Sequence, residues 1–246
     1  MGGQDITLTA ADGGAFGAYL ASPQSAVAAG VVVLQEIFGI NRVMRDIADA
    51  LAAQDYFAIV PDLFWRQEPG IQLTDRTEAE WARAFELYKG FDENLGIQDA
   101  IAALNHLRTM PGCTGKVGSV GYCLGGKLAY LMATRSDTDC SVGYYGVGIE
   151  GALGEAANLR NPLLLHVAEK DQFVPPEAQA QVKEALGDNP LVTPSTAIPA
   201  STTRSRARAA SITTKPPPSW RTGARPSSSP VTLHEGQNPN MRDRTR

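Results

Sequence analysis

Three cysteines and three histidines are all that this chain offers to disulfide or soft-metal chemistry. Cys113, Cys123 and Cys140 form no C-x-x-C pair and are odd in number, which argues against a disulfide framework or a zinc site and suits a reducing compartment. No apolar run approaches the roughly 18 residues that a membrane helix needs. The start, Met1-Gly2-Gly3-Gln4-Asp5-Ile6, has neither the basic stretch and apolar run of a secretory signal nor the Ser or Thr that myristoylation expects at position six. A cytoplasmic protein without membrane contact is the expectation. No internal repeat is visible, and nothing calls for a metal or an organic cofactor.

What is present suffices for one α/β domain with a sizeable core, since 43% of the 246 residues are hydrophobic. Val27 to Gln35 is a continuous apolar run ending at Glu36, as in a strand buried on both faces. Ile47, Ala48, Leu51 and Ala52 recur at helical spacing, and Tyr56 to Leu63 reads as the next strand. Thr77-Glu78-Ala79-Glu80 opens a helix whose Trp81, Phe85 and Tyr88 share one stripe, and Asn94 to Met110 is a second helix stopped by Pro111-Gly112. Leu128 to Thr134 reads as helix, Cys140 to Val147 and Leu163 to Ala168 as strands, and Pro176 to Leu186 as a last helix. This alternation predicts an α/β fold, a doubly wound and mostly parallel sheet with helices on both faces and ligands at the C-terminal strand ends.

The stretch Lys116 to Gly126 is the most specific part of that pattern. An apolar strand turns sharply into a helix with Cys123 at the apex, and Gly121 and Gly125 flank it as the G-x-[SC]-x-G nucleophile elbow requires. Such a turn aims the backbone N–H of Leu124 and the helix start at the thiol, a field that favours thiolate and stabilises an oxyanion. The structural alternative is a small buried cysteine on a strand-to-helix turn. An acid at a strand end, taken singly, can likewise be a helix cap. Glu36, Cys123 and Asp171 each follow directly on an apolar run, however, and three such groups at one sheet edge point to a site.

Near Thr193 the composition changes. Residues 194–246 hold nine Lys or Arg against two acids, a net of +7, whereas residues 1–193 hold 13 against 24, a net of −11. The tail is rich in Ser, Thr, Pro and Arg, lacks either regular period, and reads as a basic, low-complexity, disordered segment. A nucleic-acid arm around Arg204, Arg206 and Arg208 is one reading, but no aromatic interleaving or binding fold accompanies the charge. A displaced reading frame is more economical. Joining the third base of each codon to the next two permits Tyr-Pro-Gly-Val-Asp-His-Ala-Phe-Ala from Ala197 to Arg206, its histidine built from Thr202 and Thr203, and an amphipathic closing helix from Thr214 to Ser229.

Four segments in order, Gln35 to Gly39, Gly121 to Gly126, Gly143 to Gly146 and Glu169 to Pro175, resemble the dienelactone hydrolase family of α/β-hydrolases, which are carboxymethylenebutenolidase-like. The resemblance spans roughly residues 5–193 and implies a Cys-His-Asp triad that hydrolyses a small lactone or ester through an acyl-enzyme. It implies Cys123 as nucleophile, Asp171 as the acid orienting the histidine, and Glu36 as the group contacting the resting thiol. The backbone N–H groups of Ile37 and Leu124 would form the oxyanion hole, and Phe38, Trp81, Arg83, Phe85 and Tyr145 the substrate pocket. Two departures stand out. Thr202 occupies the triad-histidine position, which is where the alternative frame places its histidine; Trp81 stands where dienelactone-active members carry an arginine, with Arg83 nearby.

None of the three histidines present substitutes well: His106 lies near a helix end, His166 inside a strand, and His234 in the tail. The expected protein is therefore a hydrolase crippled at its C-terminus, with residues 1–193 as the hydrolase domain. The alternative is a non-catalytic binding protein on a hydrolase scaffold. A nucleotide-binding domain is disfavoured because no G-x-G-x-x-G follows the first apolar strand. The oligomeric state is not legible.

Overall fold

A computed structural model of the chain describes residues 2–168, 171 and 173–198. Its strands are β1 (Gln4–Thr9), β2 (Ala15–Ala21), β3 (Ala28–Leu34), β4 (Tyr56–Pro61), β5 (Cys113–Tyr122), β6 (Ser141–Tyr144), β7 (Leu163–Ala168) and β8 (Val192–Ile198). The helices are α1 (Arg42–Ala52), α2 (Glu78–Lys89), α3 (Glu93–Thr109), α4 (Leu124–Arg135) and α5 (Pro176–Leu186), with a 3₁₀ helix at Ile149–Asn158. All eight strands join one sheet in the order β1-β2-β4-β3-β5-β6-β7-β8. The β1–β2 and β2–β4 pairs are antiparallel, and every later pair is parallel. This is the doubly wound, mostly parallel α/β-hydrolase sheet.

Alternation along the central strands supplies both faces with apolar side chains. Val31 and Val33 pack with Met44, Ile47 and Ala48 of α1, whereas Val32 and Leu34 pack on the opposite side with Leu104 and Leu107 of α3 and Leu128 of α4. Val31, Val32, Val33 and Leu34 are each 0% exposed. Burying one such side chain contributes about 1.5–3 kcal/mol, so the central strands and their covering helices form the stable centre. Helix starts follow the expected chemistry. Thr77 accepts a hydrogen bond from the N–H of Glu80 at 3.2 Å, and Asn41 caps α1 by accepting from Met44 at 3.2 Å.

Three features were not anticipated. β1 and β2 form an antiparallel edge in which β1 buries only Leu8, too little to register as an apolar run. The segment after β6 coils as a 3₁₀ helix. β8 pairs with β7 from Val192 to Ile198 and so runs through the compositional break at Thr193. The tail beyond Ile198, including Thr202 and His234, lies outside the described residues.

Candidate active site

β5 passes into α4 through one residue. Cys123 has φ 56° and ψ −112°, a positive-φ conformation that a β-carbon ordinarily avoids. Crowding on both sides imposes it. A β-carbon on Gly121 would lie 1.8 Å from the Gly125 carbonyl oxygen, and one on Gly125 would lie 2.2 Å from the carbonyl oxygen of Leu34 and 2.7 Å from that of Gln35. Neither position can carry a side chain. The Cys123 N–H donates to the Tyr144 carbonyl at 3.0 Å, while its own carbonyl accepts from the N–H groups of Gly126 at 3.0 Å and Lys127 at 3.3 Å as α4 begins. Cys123 is 8% exposed, at the positive end of that helix.

Because Gly125 rests on the end of β3, the residues after β3 lie beside the elbow. Glu36 is buried there, and its Oε1 accepts the Tyr145 hydroxyl at 3.4 Å. Tyr145, itself at φ 41°, follows β6, and its N–H donates to the His166 carbonyl at 2.8 Å. Ile37 and Leu124, the candidate oxyanion donors, are buried, and Leu124 is the first residue of α4. Asp171 follows β7, where its Oδ1 accepts the Phe173 N–H at 2.9 Å. Glu36, Cys123, Tyr145 and Asp171 thus leave the C-terminal ends of β3, β5, β6 and β7, which are neighbours in the sheet.

An aromatic wall borders this edge. The Phe38 and Trp81 rings meet edge to face with centroids 5.0 Å apart, Trp81 and Phe85 lie 5.6 Å apart, and Phe85 reaches Phe173 at 6.4 Å. The wall therefore runs from the residue after Ile37, across α2, to the loop of Asp171. Tyr88, one turn beyond Phe85, feels the charge of Cys123; burial raises its phenol, and Cys123, Glu93 and Glu150 add to the rise. Tyr88, near the elbow, and Phe173, at the far end of the aromatic wall, were not singled out as pocket residues. The helical stripe through Trp81 and Phe85 was the available signal for Tyr88; Phe173 sits in a loop, where no period marks it.

Arg83 is not brought to this group. Two residues from Trp81, it faces the other side of α2, pairing with Glu68 and, at 2.5 Å, with Glu86. His166 is partly buried and engaged within the sheet: its ring stacks on Tyr144 with centroids 4.4 Å apart, and burial keeps its imidazole below the ordinary value. His106 lies in the last turn of α3. Among the described residues no three His, Cys, Asp or Glu side chains cluster as metal ligands, and no helix is long and apolar enough to cross a membrane.

The sequence pattern of the Dienelactone hydrolase family matches residues 16–192. The chain belongs to that family. A protein of Azospirillum brasilense that carries the carboxymethylenebutenolidase name is 50% identical over 193 residues, covering 77% of this chain and 82% of that one. The carboxymethylenebutenolidase of Pseudomonas putida is 42% identical over 189 residues, with 77% and 80% coverage. Among solved structures, the dienelactone hydrolase-like promiscuous phosphotriesterase P91 from metagenomic libraries superposes with a TM-score of 0.65 at 22% identity, covering 80% of this chain and 82% of that one, a likeness of fold. The family match of this dienelactone hydrolase relative takes in Glu36, Cys123 and Asp171 and ends beside the compositional break.

Proposed function

We propose that this chain carries the site of a cysteine-dependent hydrolase of small lactones or esters. The observation that carries this reading is Cys123, held at positive φ at a helix start by two glycines that tolerate no side chain. The Sγ attacks the substrate carbonyl carbon to form a C–S bond. The N–H groups of Ile37 and Leu124 receive the developing oxyanion, and collapse of the adduct expels the alcohol oxygen. Water then cleaves the thioester to release the acid. Glu36 contacts the resting thiol, and Asp171 orients the imidazole that moves protons in both halves.

That imidazole is missing at Thr202 in this chain. We further propose that residues 1–193 constitute the hydrolase domain and that 194–246 are read in a displaced frame, so that acylation outruns deacylation. Mixing the 246-residue protein with p-nitrophenyl acetate is expected to release a burst of about one equivalent of nitrophenol, followed by slow turnover, with an acetyl group on Cys123 in the peptide map. Restoring the frame, and with it the histidine, is expected to raise turnover by about 10²–10⁴-fold. An undiminished burst from Cys123→Ala refutes the nucleophile assignment. Resequencing the genomic DNA across codons 185 to 246 tests the frame directly, and an intact frame refutes the displacement.

A further inference from the structure

Resting on the hydrolase reading of Cys123, we propose that the site selects uncharged esters or lactones bearing an aromatic or similarly flat apolar group, which lies against Phe38, Trp81, Phe85 and Phe173, and rejects substrates bearing a carboxylate. The four rings form one unbroken chain of contacts with centroid spacings of 5.0, 5.6 and 6.4 Å, anchored on the buried Phe38 and presenting the partly exposed Trp81, Phe85 and Phe173. Both ends of that chain of contacts are tied to the reacting edge, Phe38 following Ile37 and Phe173 donating its N–H to Asp171. A flat ring placed there meets edges and faces at the offsets that aromatic pairs favour, at little conformational cost.

The charges argue the same way. Glu36 is buried beside the elbow, Asp171 closes the far end, and Glu93 and Glu150 act on Tyr88 from the side of α3 and the 3₁₀ helix. The cations nearby are already committed among the described residues. Lys127 pairs with Glu93 at 2.6 Å, and Arg83 pairs with Glu68 and Glu86 on the outer side of α2. A substrate carboxylate would leave water for a site that offers it acids and ring faces, whose electrostatics are themselves negative.

The test avoids turnover, which the Thr202 departure compromises. The full-length protein is treated separately with N-benzyl-2-chloroacetamide, 2-chloroacetamide and N-(carboxymethyl)-2-chloroacetamide. In each the Cys123 thiolate displaces chloride, forming C–S as C–Cl breaks, and labelling is followed by peptide mapping and normalised to the rate with glutathione. The benzyl reagent is expected to outpace chloroacetamide by about tenfold or more, the discrimination that one buried ring supplies, with the carboxymethyl reagent slowest. Trp81→Ala and, independently, Phe85→Leu are expected to lower the benzyl preference. Equal labelling of Cys123 by all three reagents, or fastest labelling by the anionic one, overturns the substrate class and leaves the nucleophile standing. Labelling of Cys123 by none of them overturns the hydrolase reading on which the proposal rests.

Discussion

At Gly125 a single methyl group decides whether the elbow exists. The β-carbon of Gly125→Ala would sit 2.2 Å from the Leu34 carbonyl oxygen, where backbone meets backbone and neither side can yield. A loss on the order of several kcal/mol is expected, read as a lowered urea midpoint together with loss of Cys123 acylation. Gly17→Ala is the control, because a β-carbon there meets nothing within 4 Å; its stability is expected to change by less than about 1 kcal/mol. The same crowding is why the elbow was readable: spacing two glycines around a cysteine leaves few alternatives. Other neighbours of the elbow were harder to read. Tyr88 comes within reach of the Cys123 charge, and Phe173 within reach of Phe85, only through the tertiary fold, and Arg83 was tied to Trp81 by nearness along the chain although helical geometry turns it away.

The connection from β4 to α2 is fastened by buried polar groups rather than by apolar packing alone. Asp62, 2% exposed, accepts the N–H groups of Phe64 at 3.1 Å and Gly70 at 2.7 Å. Arg66 joins the same stretch to Asp99 of α3 and to Asp12, and Trp65 donates its indole N–H to Asp99 at 2.9 Å. The Asp99 side chain is 1% exposed, and burial raises its carboxyl despite both partners. Arg66→Ala strands that carboxylate and is expected to lower stability by about 3–5 kcal/mol by urea titration. Arg42→Ala, which breaks a pair exposed by 86% and 49%, should stay within about 1 kcal/mol. Elements buried on both faces were legible because their sequences are unbroken apolar runs. β1 and β8 were not, since an edge strand needs few apolar residues, and an inward-facing aspartate such as Asp99 is indistinguishable in sequence from a solvated helix face.

For the molecule as a whole, acid sensitivity has one identifiable contributor in the sheet. Burial holds the His166 imidazole below its ordinary 6.5, so the folded state binds that proton less readily than the unfolded chain. Its contribution to stability is therefore complete above about pH 6.5 and is lost as pH falls through that value toward the folded-state one. His166→Phe keeps a ring against Tyr144 and removes the titration. The decline of Tm between about pH 7 and pH 5 is expected to be shallower in the variant; an unchanged slope would assign the acid sensitivity to other groups. Tyr122, Tyr144 and His166 stand in register on β5, β6 and β7, with ring centroids 5.1 and 4.4 Å apart and planes within 8° of parallel in both pairs. Tyr122 and Tyr144 are the near-ultraviolet chromophores of this stack, and because their phenols are fixed across two paired strands, their dichroism reports the alignment of β5 with β6 without any added label.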